Sequence, residues 1–164
     1  MLPWQPPYRA KLSSRKYPDF LWGSGFDLIV SGRFKQLYEA ANLSGIRQFS
    51  GPVEIVKVGR LPAFEVTPPP PEYYNIDIQH GAASLDDRAS GAIRGVVLCP
   101  YCRPDTDGVK RVILEEGSWN GADLFYAYGL LGVILTSERF RLLVVENSLS
   151  NAELVPADQY RFQF

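Results

Sequence analysis

Two stretches of this chain repeat one another at a constant offset of 106 residues, and this repetition limits the fold more than any other feature. The first runs Leu28-Ile29-Val30-Ser31-Gly32-Arg33-Phe34-Lys35-Gln36-Leu37 and closes at Leu43-Ser44. The second runs Ile134-Leu135-Thr136-Ser137-Glu138-Arg139-Phe140-Arg141-Leu142-Leu143 and closes at Leu149-Ser150. Each has the same plan: a short apolar strand, a serine N-cap, an amphipathic helix with Phe on its buried face, then a turn. Phe34, Leu37, Tyr38 and Ala41 fall at i, i+3, i+4 and i+7, and Asn42 to Gly45 stops that helix. Phe140, Leu143 and Val144 share a face of the second helix, where Glu138 in the first turn suits the macrodipole. Two explanations stand side by side: a duplicated module, or a strand–cap–helix unit of a kind many chains share. Neither supplies chemistry.

Between these helices the signals are those of strands and turns. Residues 53–66 read as two short strands broken by Gly59 and Pro62. Four prolines, 68 to 71, form a stiff extended spacer or an SH3- or WW-type ligand, the spacer being the commoner use. Tyr73 to Gln79 alternates as a strand with one wet face. His80 to Gly95, rich in Gly, Ala, Ser and Asp, reads as a loop. Val109 to Leu114, Asp123 to Tyr128 and Val133 to Leu135 read as further strands, and the tail from Ala152 as extended. The expected fold is therefore α+β: two principal helices, about 32–42 and 137–147, on a mostly antiparallel sheet. At 164 residues the prior is one domain, with residues 1–20 an irregular, proline-rich segment and 21–164 the α+β domain.

Composition removes whole function classes. The chain is 46% apolar and 13% aromatic, enough for a packed core, and its net charge is −1. That balance lacks the clustered Lys and Arg that displace counterions from nucleic acid. No run of eighteen apolar residues spans a membrane, and the start has no apolar core of the secretory kind. Two cysteines make no disulfide scaffold. The expectation is a cytoplasmic globular protein.

Candidate chemistry is sparse. Cys99-Pro100-Tyr101-Cys102 has the knuckle spacing that lets two thiolates bind one zinc. His80 is the sole histidine and at best a third ligand, and Asp105 or Asp107 would have to complete the set. Pro104, Asp107 and Gly108 continue a turn where a redox CxxC would open a helix. The spacing thus favours a knuckle without metal over a zinc site at Cys99, Cys102 and His80, and both over redox work. Nothing near His80 marks an activated nucleophile. Gly23-Ser24-Gly25 lacks the continuation of a phosphate loop. The acidic pairs Asp86-Asp87 and Glu115-Glu116 read first as solvated surface and second as a patch for a basic partner.

Gly121-Ala122-Asp123-Leu124-Phe125, followed by Val133-Ile134-Leu135-Thr136-Ser137-Glu138-Arg139-Phe140, resembles the C-terminal signature of bacterial toxin-immunity families. There a D-[LIV]-F strand precedes an apolar segment, [ST]-E-R-[FL], a helix and a closing strand. With Cys99-Pro100-Tyr101-Cys102 upstream, the chain is most similar to the double-CxxCG paralogous family described in myxobacteria. It departs in two places: Arg103 stands where the family has glycine, and the N-terminal CxxC is absent. The resemblance implies a non-catalytic immunity protein whose partner is a cognate toxin domain, blocked by occlusion, with no cofactor. Asp86, Asp87, Glu115 and Glu116 would then suit a basic toxin. The competing expectations are a small hydrolase or metal-dependent enzyme using His80, and a peptide-binding or structural module.

Overall fold

Ser31 and Ser137 each turn an extended strand into a helix by the same bond. The Ser31 hydroxyl accepts from the Phe34 N–H at 3.1 Å, and the Ser137 hydroxyl accepts from the Phe140 N–H at 3.2 Å. Each satisfies one of the donors a helix start leaves orphaned. The computed structural model describes residues 6–12, 17–23, 28–57, 69–95, 106–130 and 132–163. Its helices are α1 (Gly32–Ala40), the single turn α2 (Asp87–Ser90) and α3 (Glu138–Glu146). The first strands are β1 (Arg9–Lys11), β2 (Phe20–Trp22), β3 (Leu28–Ser31), β4 (Ile46–Ser50), β5 (Glu54–Lys57) and β6 (Tyr73–Ser84). The later ones are β7 (Ile93–Arg94), β8 (Thr106–Val109), β9 (Leu124–Tyr128), β10 (Leu135–Thr136) and β11 (Phe162–Gln163). The fold is α+β with mostly antiparallel pairing, and the two principal helices lie where their periodicity puts them. No described helix is long and apolar enough to cross a membrane.

The chain resolves into two compact units. The first comprises Met1–Asn42, Arg47–Asp77 and Leu143–Ala152. In it β3 lies antiparallel to β2, with Phe20 opposite Val30, and to β6, with Leu28 opposite Ile76 and Ser31 opposite Tyr73. β4 also pairs with β6. Ile29, Val53 and Tyr73 form one buried cluster. A run of aromatic contacts passes from Phe20 through Phe34, Tyr38 and Phe49 to Tyr74, with ring centroids 4.9, 5.6, 5.8 and 6.5 Å apart. Edge-to-face pairs of this kind add stability beyond the area they bury.

Tyr73 is fully buried, and its hydroxyl donates to the Pro18 carbonyl at 2.8 Å. Burial, then the nearby Asp19 carboxylate, then Tyr17, push its phenol up to about 12. The folded state therefore holds a proton that the unfolded chain gives up near pH 10. Stability is expected to be indifferent to this group below pH 10 and to fall as pH rises from 10 to 12. An alkaline unfolding series should lose that slope in Tyr73→Phe; an unchanged slope would refute the assignment.

The second unit comprises Leu43–Ile46, Ile78–Leu142 and Glu153–Phe164. The later residues of β6 run parallel to β9, with Gln79 opposite Phe125 and His80 opposite Tyr126. β9 pairs antiparallel with β10, Leu124 opposite Thr136 and Phe125 opposite Leu135. A second small sheet has the order β11-β8-β7, antiparallel throughout. Leu85, Leu130, Phe125, Val112 and Ala83 are among the buried residues of its core.

Several expectations need correction. Residues 1–20 are not irregular throughout: β1 pairs in parallel with β5, Ala10 opposite Ile55, and Leu12 is buried, so the segment is held by a ladder and an apolar anchor. Residues 80–95 are not a loop. β6 continues to Ser84 because Ala82 and Ala83 are small enough to be fully buried, while Gly81, at φ +74°, sits at a break in register under the Tyr128 ring. Asp86 then caps α2 by accepting from the Ala89 N–H at 2.9 Å, and β7 follows. The strand expected at 109–114 lies earlier, at 106–109. Beyond Val109 the amides of Lys110 and Val112 donate instead to Ser90 (3.0 Å) and Ala157 (2.8 Å), which takes them out of the ladder. The tail holds a 3-10 turn, Ala157–Gln159, and the short β11. Of the two strands read in 53–66, β5 is the first; the second falls outside the described residues, as do residues 24–27, Pro68 and Phe164.

Candidate functional site

The repeat folds into two matched aspartate clasps, one in each unit. In the first unit Asp19 Oδ1 accepts from the Ser31 hydroxyl at 2.7 Å. Its Oδ2 accepts from the Ser150 N–H and hydroxyl, both at 2.9 Å, and from Arg33 at 3.4 Å. In the second unit Asp123 Oδ1 accepts from the Ser137 hydroxyl at 2.6 Å. Its Oδ2 accepts from the Ser44 N–H and hydroxyl at 2.9 and 3.1 Å, and from Arg139 at 3.1 Å. The correspondence is atom for atom. Both carboxylates are buried, at 6% and 1% exposure, and burial without such donors would be costly.

The likeness extends to the backbone. The Ser31 N–H donates to the Asp19 carbonyl and the Ser137 N–H to the Asp123 carbonyl, both at 2.9 Å. Asn42 and Ser148, ending the two helices, both take φ +49°. Gly45 and Asn151 both take positive φ, +108° and +63°. Chance similarity of two strand–cap–helix units would not reproduce a buried acid, its four donors and the closing turn. The geometry favours a duplicated module. Sequence reading missed Asp19 because it lies outside the matched stretch; the available signal was an Asp before an apolar strand residue, Asp19-Phe20 and Asp123-Leu124.

Of the residues singled out for chemistry, the two acidic pairs flank one backbone pairing: Leu85 bridges Leu114, the Asp86 N–H donates to the Ile113 carbonyl and the Glu115 N–H to the Ser84 carbonyl, both at 2.9 Å. Cys99 and Cys102 lie outside the described residues. His80 is exposed on β6, its ring stacked on Tyr126 at 4.5 Å. Among the described residues no three of His, Cys, Asp and Glu converge to hold a metal. Asp86 is occupied as the cap of α2, and Asp87 forms an ion pair with Arg94. Glu115 and Glu116 are exposed, and the Glu115 carbonyl accepts from the Ser118 hydroxyl at 2.8 Å.

One concave feature of the second unit is an apolar groove of about 890 Å³. Val133 to Glu138, carried by β10 and the start of α3, line it together with Glu153 to Ala157 of the tail. Phe125, Trp119 and Tyr160 add aromatic surface. Trp119 stacks on Phe125 at 6.3 Å and donates from Nε1 to the Ala122 carbonyl at 3.1 Å, which fixes its ring while leaving it 48% exposed. Val155 is 47% exposed. Arg141 donates to both oxygens of Glu138, at 2.8 and 2.6 Å, and this bidentate bond holds the Glu138 carboxyl below the usual carboxylate range. The arrangement offers apolar and aromatic contact with a polar rim, the make-up of a recognition surface. A scan against protein-family models found none that matches this chain, and no curated protein matches it.

Proposed function

We propose that this protein is an immunity protein that binds one cognate bacterial toxin domain and neutralises it by occlusion, turning over no substrate. The observation that carries the reading is where the immunity-like motif falls. Its aspartate, serine and arginine build the Asp123 clasp, and its strand and helix start, Ile134 to Glu138, line the groove. Partly exposed Trp119, its ring fixed on the groove, has the character of a binding anchor, since Trp, Tyr and Arg side chains carry most of an interface's affinity, while Leu154 and Val155 add apolar surface to the same groove. The partner is a protein, with no nucleic acid, membrane or metal required.

The test is growth of a host that expresses the toxin-like domain encoded beside this gene, with and without this chain. Protection is expected, with a stoichiometric complex on gel filtration. His80→Ala should protect as well as the wild type; loss of protection by a folded His80→Ala protein would transfer the reading to an enzyme. A neighbouring metabolic operon with no toxin-like frame would overturn it.

A further inference from the structure

We infer that the groove of the second unit takes one extended strand of the partner, laid antiparallel to β10, with an aromatic side chain under Arg141. The first unit displays the filled counterpart. At the repeat offset of 106, Ile134–Ser137 correspond to Leu28–Ser31, which is β3, and Glu153–Ala157 correspond to Arg47–Gly51, which begins within β4. In the first unit β6 pairs with both β3 and β4. Leu28, Ile29, Val30 and Ser31 are consequently buried, at 6%, 2%, 0% and 3% exposure. In the second unit the same two segments line the groove, and among the described residues β10 has β9 as its one strand neighbour. Ile134 to Ser137 are only half-buried.

The side chains carry the comparison further. On β6, Tyr74 lies 4.6 Å beneath the Lys35 ammonium and 6.5 Å from the Phe49 ring. The positions matching Lys35 and Phe49 are Arg141 and Val155, and both line the groove. An incoming strand with an aromatic residue in the place of Tyr74 would gain a cation–π contact from Arg141 and apolar contact from Val155. The backbone has its match too. The Gly32 N–H donates to the Glu72 carbonyl at 2.7 Å, and the residue matching Gly32 is Glu138. An open sheet edge beside side-chain pockets is the arrangement that recognises extended peptides by strand addition, the ladder giving affinity and the pockets specificity. That the strand is supplied by a toxin rests on the function proposed above; the slot itself does not.

The probe is a capped peptide Glu-Tyr-Tyr-Asn-Ile-Asp, a copy of residues 72–77, titrated into the isotope-labelled full chain. Saturable amide shifts are expected at 134–138 and 153–157. Val155→Asp and Arg141→Ala alter exposed side chains, should keep the wild-type circular dichroism, and should each weaken the peptide about tenfold or more. Absent shifts, shifts confined elsewhere, or unchanged affinity in both variants would overturn the slot. The toxin domain should displace the peptide, and a toxin bound equally well by wild type and Val155→Asp would overturn its assignment as the strand donor. Self-association abolished by Val155→Asp would give the slot to a second copy and overturn that assignment too. Failure of the wild-type chain to bind any toxin would sink the immunity reading, with the peptide titration still deciding the slot.

Discussion

Gly45→Ala is expected to cost more than about 4 kcal/mol, the range reserved for substitutions that the backbone cannot accommodate. Gly45 sits at φ +108°, and a Cβ there would lie 1.9 Å from the Leu124 carbonyl oxygen and 2.8 Å from its carbon. Both are backbone atoms of β9, so no rotamer change relieves the clash. Moving the chain aside would break the bond from the Gln79 N–H to the Gly45 carbonyl, 2.7 Å, which ties this turn to β6. At about 2–4 °C per kcal/mol for a chain of this size, the melting temperature should fall by roughly 10 °C or more, or the variant should be recovered only as aggregate. The matching position, Asn151 at φ +63°, makes a sharp control. Asn151→Gly suits the dihedral and forfeits the bond from Nδ2 to the Phe20 carbonyl, 2.7 Å, a loss of about 1 kcal/mol. A Gly45→Ala protein melting like wild type would show the close approach to Leu124 to be wrong.

Asp123→Ala is expected to cost about 2–4 kcal/mol, because it removes a buried carboxylate and with it the hydrogen bonds that this charged group accepts from the Ser44 N–H and hydroxyl and from the Ser137 hydroxyl. The melting temperature should drop by roughly 5–15 °C. Asp19→Ala should cost a similar amount, since its donors are the same atoms in the same places. Arg139→Ala should cost under about 1 kcal/mol, as that side chain is 59% exposed and its charge is screened by water. The ordering decides between explanations. If removing the arginine hurts as much as removing the aspartate, the ion pair is the essential element and the serine clasp is incidental.

What was legible in the sequence was local. Ser31, Ser137 and the spacing of Phe34, Tyr38, Phe140, Leu143 and Val144 act within one or two helical turns, so the caps and buried faces could be read from neighbours. The strand at Tyr73 likewise shows its own alternation. The rest depends on partners far along the chain. β1 exists because β5 lies beside it, and nothing in Arg9-Ala10-Lys11 announces Ile55. Gly81-Ala82-Ala83 has the composition of a loop yet lies in a strand, with both alanines buried and Gly81 placed where a Cβ would meet the Tyr128 ring. The clasps are the extreme case: Asp19 meets Ser150 across 131 residues, and Ser44 meets Asp123 across 79. The serine of each closing Leu-Ser was visible as a repeated letter, but its role required knowing that it serves the aspartate of the other copy. The groove was hidden for the same reason, since Val133–Ser137 and Glu153–Ala157 each look unremarkable alone.

That exchange of serines sets the order in which the molecule can be made. The first unit takes in Leu143–Ala152, so Asp19 and β2 wait for residues near the end of the chain before their hydrogen bonds with Ser150 can form. A ribosome adding residues at about 5–20 per second keeps the amino-terminal strands waiting several seconds for their last partners. The second unit borrows Leu43–Ile46 and is assembled from residues made almost entirely later. Folding from the amino terminus outward is therefore barred by topology, and the closing events come late, at high sequence separation, where loop closure is slow. A chain cut short before Ser150 would lack that residue's hydrogen bonds to Asp19 and the tail of the groove alike, leaving the cell with neither a finished first unit nor a complete groove.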